Sequence, residues 1–167
     1  MSDINITEQY IDAIIDTPKG SRNKYKYDEK RKAFFLKKIL PAGAAFPYNF
    51  GYIDNTISED GDPIDIMILM EEPAFTGCIV PCRIIGAVKA IQTKGTSCRN
   101  DRLLGVVPAS PMFGHYTDIS QLPGKLIDEV EHFFISYNQF EGKEFKPIGR
   151  AGAQEAAALL EAARKGK

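Results

Sequence analysis

Three carboxylates, Asp60, Asp62 and Asp65, stand at i, i+2 and i+5 in the run Glu59-Asp60-Gly61-Asp62-Pro63-Ile64-Asp65. Gly61 and Pro63 bend the chain between them. Asp65 opens an apolar stretch, where an unpaired carboxylate is costly. Carboxylates crowded on one turn repel, and each raises the pKa of the next unless a cation holds them. A hard divalent cation supplies that compensation, and Mg²⁺ usually takes one or two carboxylates together with water and substrate phosphates. A solvated Asp-Gly surface turn has the same composition. Spacing alone leaves both readings open. An EF-hand loop fits poorly, because Asp65 falls at the wrong offset.

A second charged block precedes this turn. Between Lys19 and Lys38 the bases Lys19, Arg22, Lys24, Lys26, Lys30, Arg31, Lys32, Lys37 and Lys38 face only Asp28 and Glu29. From Asp54 to Glu72 there are seven acids and no base. These blocks cancel in a chain of 21 Lys plus Arg against 22 Asp plus Glu, net charge −1. Cations opposite a carboxylate turn suit an anion bridged by metal ions; two solvated faces that neutralise each other would give the same sum. The acidic block and the near-neutral total argue against nucleic acid as a partner.

The elements that must position these groups read as β first and α later. Tyr10 to Thr17, Lys24 to Asp28, Ala33 to Leu40, Ile64 to Met70, Cys82 to Ile91 and Leu103 to Val107 have strand patterns, separated by Gly, Pro and Asp clusters. Short strands so spaced predict a closed or nearly closed barrel rather than a parallel sheet. After Pro123, the residues Leu126, Ile127, Val130, Phe133, Phe134 and Tyr137 fall at helical spacing, and a second helix is predicted over Gln154 to Arg164. The fold class is α+β, a single domain over residues 1–167 of the 167 present. No apolar run is long enough for a membrane helix, and no signal segment is visible at Met1 to Gln9. Three cysteines, Cys78, Cys82 and Cys98, predict reduced thiols and a cytoplasmic setting; Cys78 and Cys82 lack the further ligands of a zinc site. His132, beside Phe133 and Phe134, is expected to pack rather than to ligate, and His115 has no partner that spacing identifies.

Five stretches, in order, resemble the family I soluble inorganic pyrophosphatases. They are Pro18-Lys19-Gly20-Ser21-Arg22-Asn23-Lys24-Tyr25, Phe46-Pro47-Tyr48-Asn49-Phe50-Gly51-Tyr52-Ile53, the Asp60-Gly61-Asp62-Pro63-Ile64-Asp65 signature, Gly77 to Lys89 with its C-R-x-x-G pattern, and Glu131-His132-Phe133-Phe134 with Tyr137. The resemblance implies a five-stranded OB-like closed β-barrel flanked by two main helices, usually assembled into homo-oligomers. It implies Mg²⁺-dependent hydrolysis of inorganic diphosphate to two orthophosphates, with Mn²⁺ or another divalent ion as a possible substitute. By position, Asp62 would be the base that acts on water, Asp60 and Asp65 would be metal ligands, and Lys24 and Tyr137 would hold phosphate.

The departures from the family pattern concern charge. The acid before the Thr17-Pro18 turn is Asp16, one methylene shorter than the family's residue. A family Glu is Lys26, a phosphate-binding Arg is Lys38, a Tyr is Phe50 and a Lys is Asn138. Two metal-binding Asp positions carry Gln92 and Asn100, and the phosphate-binding Lys position carries Arg102, with Asp101 adjacent as a possible substitute ligand. The expected metal set is therefore Asp16, Asp60, Asp65, Asn100 and Asp101; the expected substrate set is Lys24, Lys38, Arg102 and Tyr137. The site is less acidic than the family pattern and is expected to hold fewer divalent ions. Three readings follow: a diphosphatase with altered metal demand or reduced rate, a module that binds phosphate or diphosphate without turnover, or a hydrolase of another phosphoanhydride.

Overall fold

Ile66-Met67-Ile68-Leu69 is apolar at every position, so both faces of that strand must be covered. The computed structural model, which describes residues 10–165, meets this demand with a ring of strands between two helices. In chain order the strands are β1 (Ile11–Thr17), β2 (Asn23–Asp28), β3 (Ala33–Ile39), β4 (Asn49–Tyr52), β5 (Asp65–Leu69), β6 (Ile79–Lys94), β7 (Thr96–Arg99), β8 (Arg102–Val106) and β9 (Glu144–Gly152). The helices are α1 (Gly124–Phe140) and α2 (Ala153–Ala163). The ring runs β1-β4-β5-β8-β6 and closes where β6 pairs with β1. All its pairings are antiparallel except β5 with β8. This is the α+β fold with five barrel strands and two main helices that the sequence predicts.

Alternation along β5 divides the core. Met67 and Leu69 join the cluster that contains Val130, Phe134 and Tyr137 of α1, whereas Ile66 and Ile68 join the one that contains Ala156, Leu160 and Ala163 of α2. Asp65 and Arg102 are direct partners in the β5–β8 register, at the mouth of the ring.

The structure differs from the sequence reading in several places. The basic strands β2 and β3 form a separate hairpin outside the ring. It docks on β1 through the Thr17 hydroxyl, which accepts from the Tyr25 amide at 3.2 Å. β4, β7 and β9 were not anticipated. β9 contains Pro147 and two glycines, Gly149 and Gly152, which interrupt any strand pattern. Among the described residues its strand partner is β6, where an irregularity between Lys89 and Ala90 lies opposite Gly149 and Pro147, and proline is tolerated at such edges. Pro123 is the N-cap residue of α1.

Gly51 shows why the Phe50-Gly51-Tyr52 stretch lacks a side chain at its centre. A Cβ there would lie 1.9 Å from the Ile14 carbonyl oxygen, where β4 crosses β1. Gly51→Ala is therefore expected to cost about 1–3 kcal/mol by overpacking. The check is a fall in the denaturant midpoint at unchanged slope; an unchanged midpoint would contradict this packing.

Candidate active site

The mouth of the ring carries two buried charge centres. At the end of β1, the Asp16 carboxylate lies 2.6 Å from Lys24 Nζ, with side chains only 7% and 7% exposed. Thr17 Oγ1 donates to the same Asp16 oxygen at 2.7 Å. Lys24 also lies over the Phe50 ring, 4.8 Å from its centroid. Burial raises the Asp16 pKa, while Lys24 and Thr17 work against that shift.

The second centre is Arg102 at the start of β8. Its Nη1 lies 2.6 Å from Asp65 Oδ2 and donates to Asn100 Oδ1 at 2.5 Å; Nη2 reaches Gln92 Oε1 at 3.4 Å. The guanidinium lies between the Phe134 and Phe145 rings, at 5.5 and 5.4 Å, and the residue is 5% exposed. Asn100 Nδ2 donates to Gln92 Oε1 at 2.9 Å and to Asp60 Oδ2 at 3.0 Å, tying the acidic turn to this network. Burial raises the Asp65 pKa, with Arg102 and Lys24 opposing it.

The acidic turn itself is exposed. The Asp62 amide donates to Asp60 Oδ1 at 3.0 Å, Gly61 takes φ 87°, and the Arg99 amide docks on Glu59 at 2.6 Å. This leaves the Asp62 carboxylate in solvent, 3.5 Å from Lys26 Nζ on β2.

Opposite the turn, cations collect around Glu141, just past α1. Its carboxylate accepts from the Tyr137 hydroxyl at 2.8 Å and lies 3.7 Å from Lys37 and 3.3 Å from Lys143. Burial pushes Glu141 upward, but Tyr137, Lys37 and Lys143 outweigh it and hold the pKa below its usual value. Burial lowers Lys37, Glu141 resists, and the neighbouring Lys26, Lys143 and Lys24 lower it further. Lys38 Nζ lies 5.9 Å from the Tyr137 ring centroid and is also lowered by burial. The two halves form one field, since Asp16 and Lys24 act on Asp65 and Asp65 acts on Tyr137.

Asp60, Asp62, Asp65, Asp16, Lys24, Lys38 and Tyr137 thus meet at one end of the ring. Asp101 does not join them. Its Oδ1 accepts from the Ala90 amide at 3.1 Å and from Arg99 Nε at 2.7 Å, so strand alternation sends it away from Asn100 and Arg102. Arg102 is buried under Asp65 rather than presented to a ligand. Sequence reasoning missed Lys37, Glu141 and Lys143. Lys37 is the extra residue in β3: Lys24 pairs with Lys38 and Tyr25 with Leu36, and this bulge brings adjacent lysines to one site. Asn138 is spent within α1, donating to the Phe134 carbonyl at 2.7 Å. His132 lines a groove between α1 and the residue 40–45 turn, and His115 stacks near Tyr116, 4.1 Å between centroids. Cys78, Cys82 and Cys98 are free thiols, and burial pushes Cys82 up to about 12.

The family model for inorganic pyrophosphatase matches residues 13–166. The chain belongs to this family. The inorganic pyrophosphatase of Corynebacterium glutamicum is 39% identical over 147 residues, covering 87% of this chain and 90% of that protein. That of Halalkalibacterium halodurans is 33% identical over 156 residues, covering 93% and 94%. The crystal structure of the Thermus thermophilus inorganic pyrophosphatase superposes with a TM-score of 0.86 at 29% identity, covering 98% of this chain and 94% of that one. Within the described residues no helix is long and apolar enough to cross a membrane.

Pyrophosphatase membership implies a divalent metal, generally Mg²⁺. The side chains here do not fit such an ion as a resident of the protein. Among the described residues no three Asp, Glu, His or Cys side chains are placed to hold one. Asp65 is matched by Arg102, Asp16 by Lys24 and Asp60 by the Asn100 amide, while Asp101 faces elsewhere.

Proposed function

We propose that the protein hydrolyses inorganic diphosphate to two orthophosphates. The observation that carries this reading is an exposed carboxylate, Asp62, beside Lys26, which in turn shares a field with Lys37, Lys143 and Lys24, in a chain that belongs to the inorganic pyrophosphatase family. Diphosphate carries negative charge on several oxygens at once, even as its metal complex, and phosphoryl transfer depends mainly on positioning and electrostatic stabilisation. Lys37 and Lys143 gather on Glu141, Lys38 lies by Tyr137, and Lys26 stands beside Asp62. Tyr137 offers a hydroxyl once an anion displaces Glu141.

Asp62 orients the attacking water and takes its proton as the water oxygen bonds to phosphorus. The bridging P–O bond breaks, the second orthophosphate leaves among the lysines, and Asp62 returns its proton to a phosphate oxygen. Lys24 and Arg102 act from beneath, as fixed positive charges that keep Asp16 and Asp65 in place. The divalent ion, Mg²⁺ or in its place Mn²⁺, belongs to the substrate as its diphosphate complex. The setting is cytoplasmic and reducing, as the three free thiols support. A homo-oligomer is supported by the exposed apolar Phe75, Ile79 and Met112, at 72%, 61% and 62% exposure.

The test is release of orthophosphate from diphosphate in the presence of Mg²⁺ or Mn²⁺. Release well above that of Asp62→Asn is expected; binding of diphosphate with no release would leave a binding module instead.

A further inference from the structure

We infer that Arg102 does the work of a resident divalent cation in this chain, so that the free protein takes up no such ion and the ion enters only with diphosphate. The second clause rests on the diphosphatase reading; the first does not.

The guanidinium is built into the barrel. Arg102 is the register partner of Asp65 between parallel β5 and β8, so the sheet itself sets the two side by side. The side chain lies between the Phe134 and Phe145 rings, and its terminal nitrogens reach Asp65, Asn100 and Gln92. Nε is buried and has no hydrogen-bond partner among the described residues. A divalent ion on Asp65 would have to settle beside a positive charge less than 3 Å from the same carboxylate, with only part of Asp65's side chain, 24%, exposed.

The neighbours agree with this assignment. Asn100 and Gln92 are neutral carboxamides at positions from which anionic ligands would approach Asp65 and Asp60. They are locked to each other at 2.9 Å. Asn100 donates through its nitrogen to Asp60 and accepts through its oxygen from Arg102, so it relays polarity from the guanidinium to the acidic turn. An aspartate could accept from Arg102 but could not donate to Asp60. The carboxamide is therefore the side chain that suits an organic cation here, as a carboxylate would suit a metal.

Ultrafiltration of the intact protein with Mn²⁺, measuring metal retained per chain, tests both clauses. The wild type without diphosphate is expected to retain no ion at micromolar Mn²⁺. The double variant Arg102→Met with Asn100→Asp is expected to retain one, at least tenfold more tightly, and to gain thermal stability on adding Mn²⁺. If the double variant does not fold, as circular dichroism would show, the wild type decides alone. One ion retained by the wild type and lost in Asp65→Asn overturns the proposal. A folded double variant that gains no ion also overturns it. Adding imidodiphosphate to the wild type is expected to bring Mn²⁺ onto the protein. Failure of that arm alone overturns the second clause; release of orthophosphate from diphosphate decides the diphosphatase reading separately, and the first clause stands on the metal-only titrations.

Discussion

Lys24→Met is expected to destabilise the protein by about 3–5 kcal/mol, the cost of leaving a buried charge without its partner. Asp16 and Lys24 are each nearly inaccessible, and their charged atoms are 2.6 Å apart. Methionine keeps most of the volume over Phe50 but leaves the Asp16 carboxylate to the Thr17 hydroxyl alone. Removing both charges should recover much of the loss, because a buried pair replaced by apolar residues of similar size is often neutral. Denaturant midpoints of Lys24→Met, Asp16→Leu and the double variant measure this directly. If the single variants lose no more than an exposed ion pair is worth, about 0–1 kcal/mol, the pair does not carry the energetic weight that its burial implies.

Asp62→Asn is expected to lower kcat by about 10²–10⁴, the usual worth of a positioned base, with KM little changed. Asp62 is exposed and pairs with Lys26 across 3.5 Å, so the isosteric amide should not alter folding. Asparagine still orients water but cannot take its proton. The loss should therefore fall on the chemical step, visible in steady-state kinetics as lower kcat and kcat/KM by the same factor. A loss below tenfold would move the base elsewhere.

The fold was legible where apolar periodicity was strong: the buried run of β5, the helical spacing of α1, and the pattern of short strands that implied a barrel. β9 was not, because Pro147 and the glycines mark it as loop, and only its edge position against β6 makes it a strand. The acidic turn could be read from spacing, since its geometry is local. The Arg102 network could not. It depends on which residues of β8 and β5 fall in register, and on two rings, Phe134 of α1 and Phe145 of β9, that lie far from Arg102 in sequence. Asp101 was misplaced for a related reason: adjacent residues in extended chain point to opposite sides, so it could not substitute for Asn100. Lys37 escaped notice because one bulge reverses the alternation that separates it from Lys38.

The central claim is that diphosphate brings its divalent ion to a site whose resident positive charge is Arg102. The most direct measurement is the rate of orthophosphate release as free Mg²⁺ is varied at a fixed, saturating concentration of the magnesium–diphosphate complex. The rate is expected to depend on the complex and to stay flat as free Mg²⁺ rises. A rate that climbs and saturates with free Mg²⁺ under those conditions would mean that the protein loads its own ion, and would contradict the account.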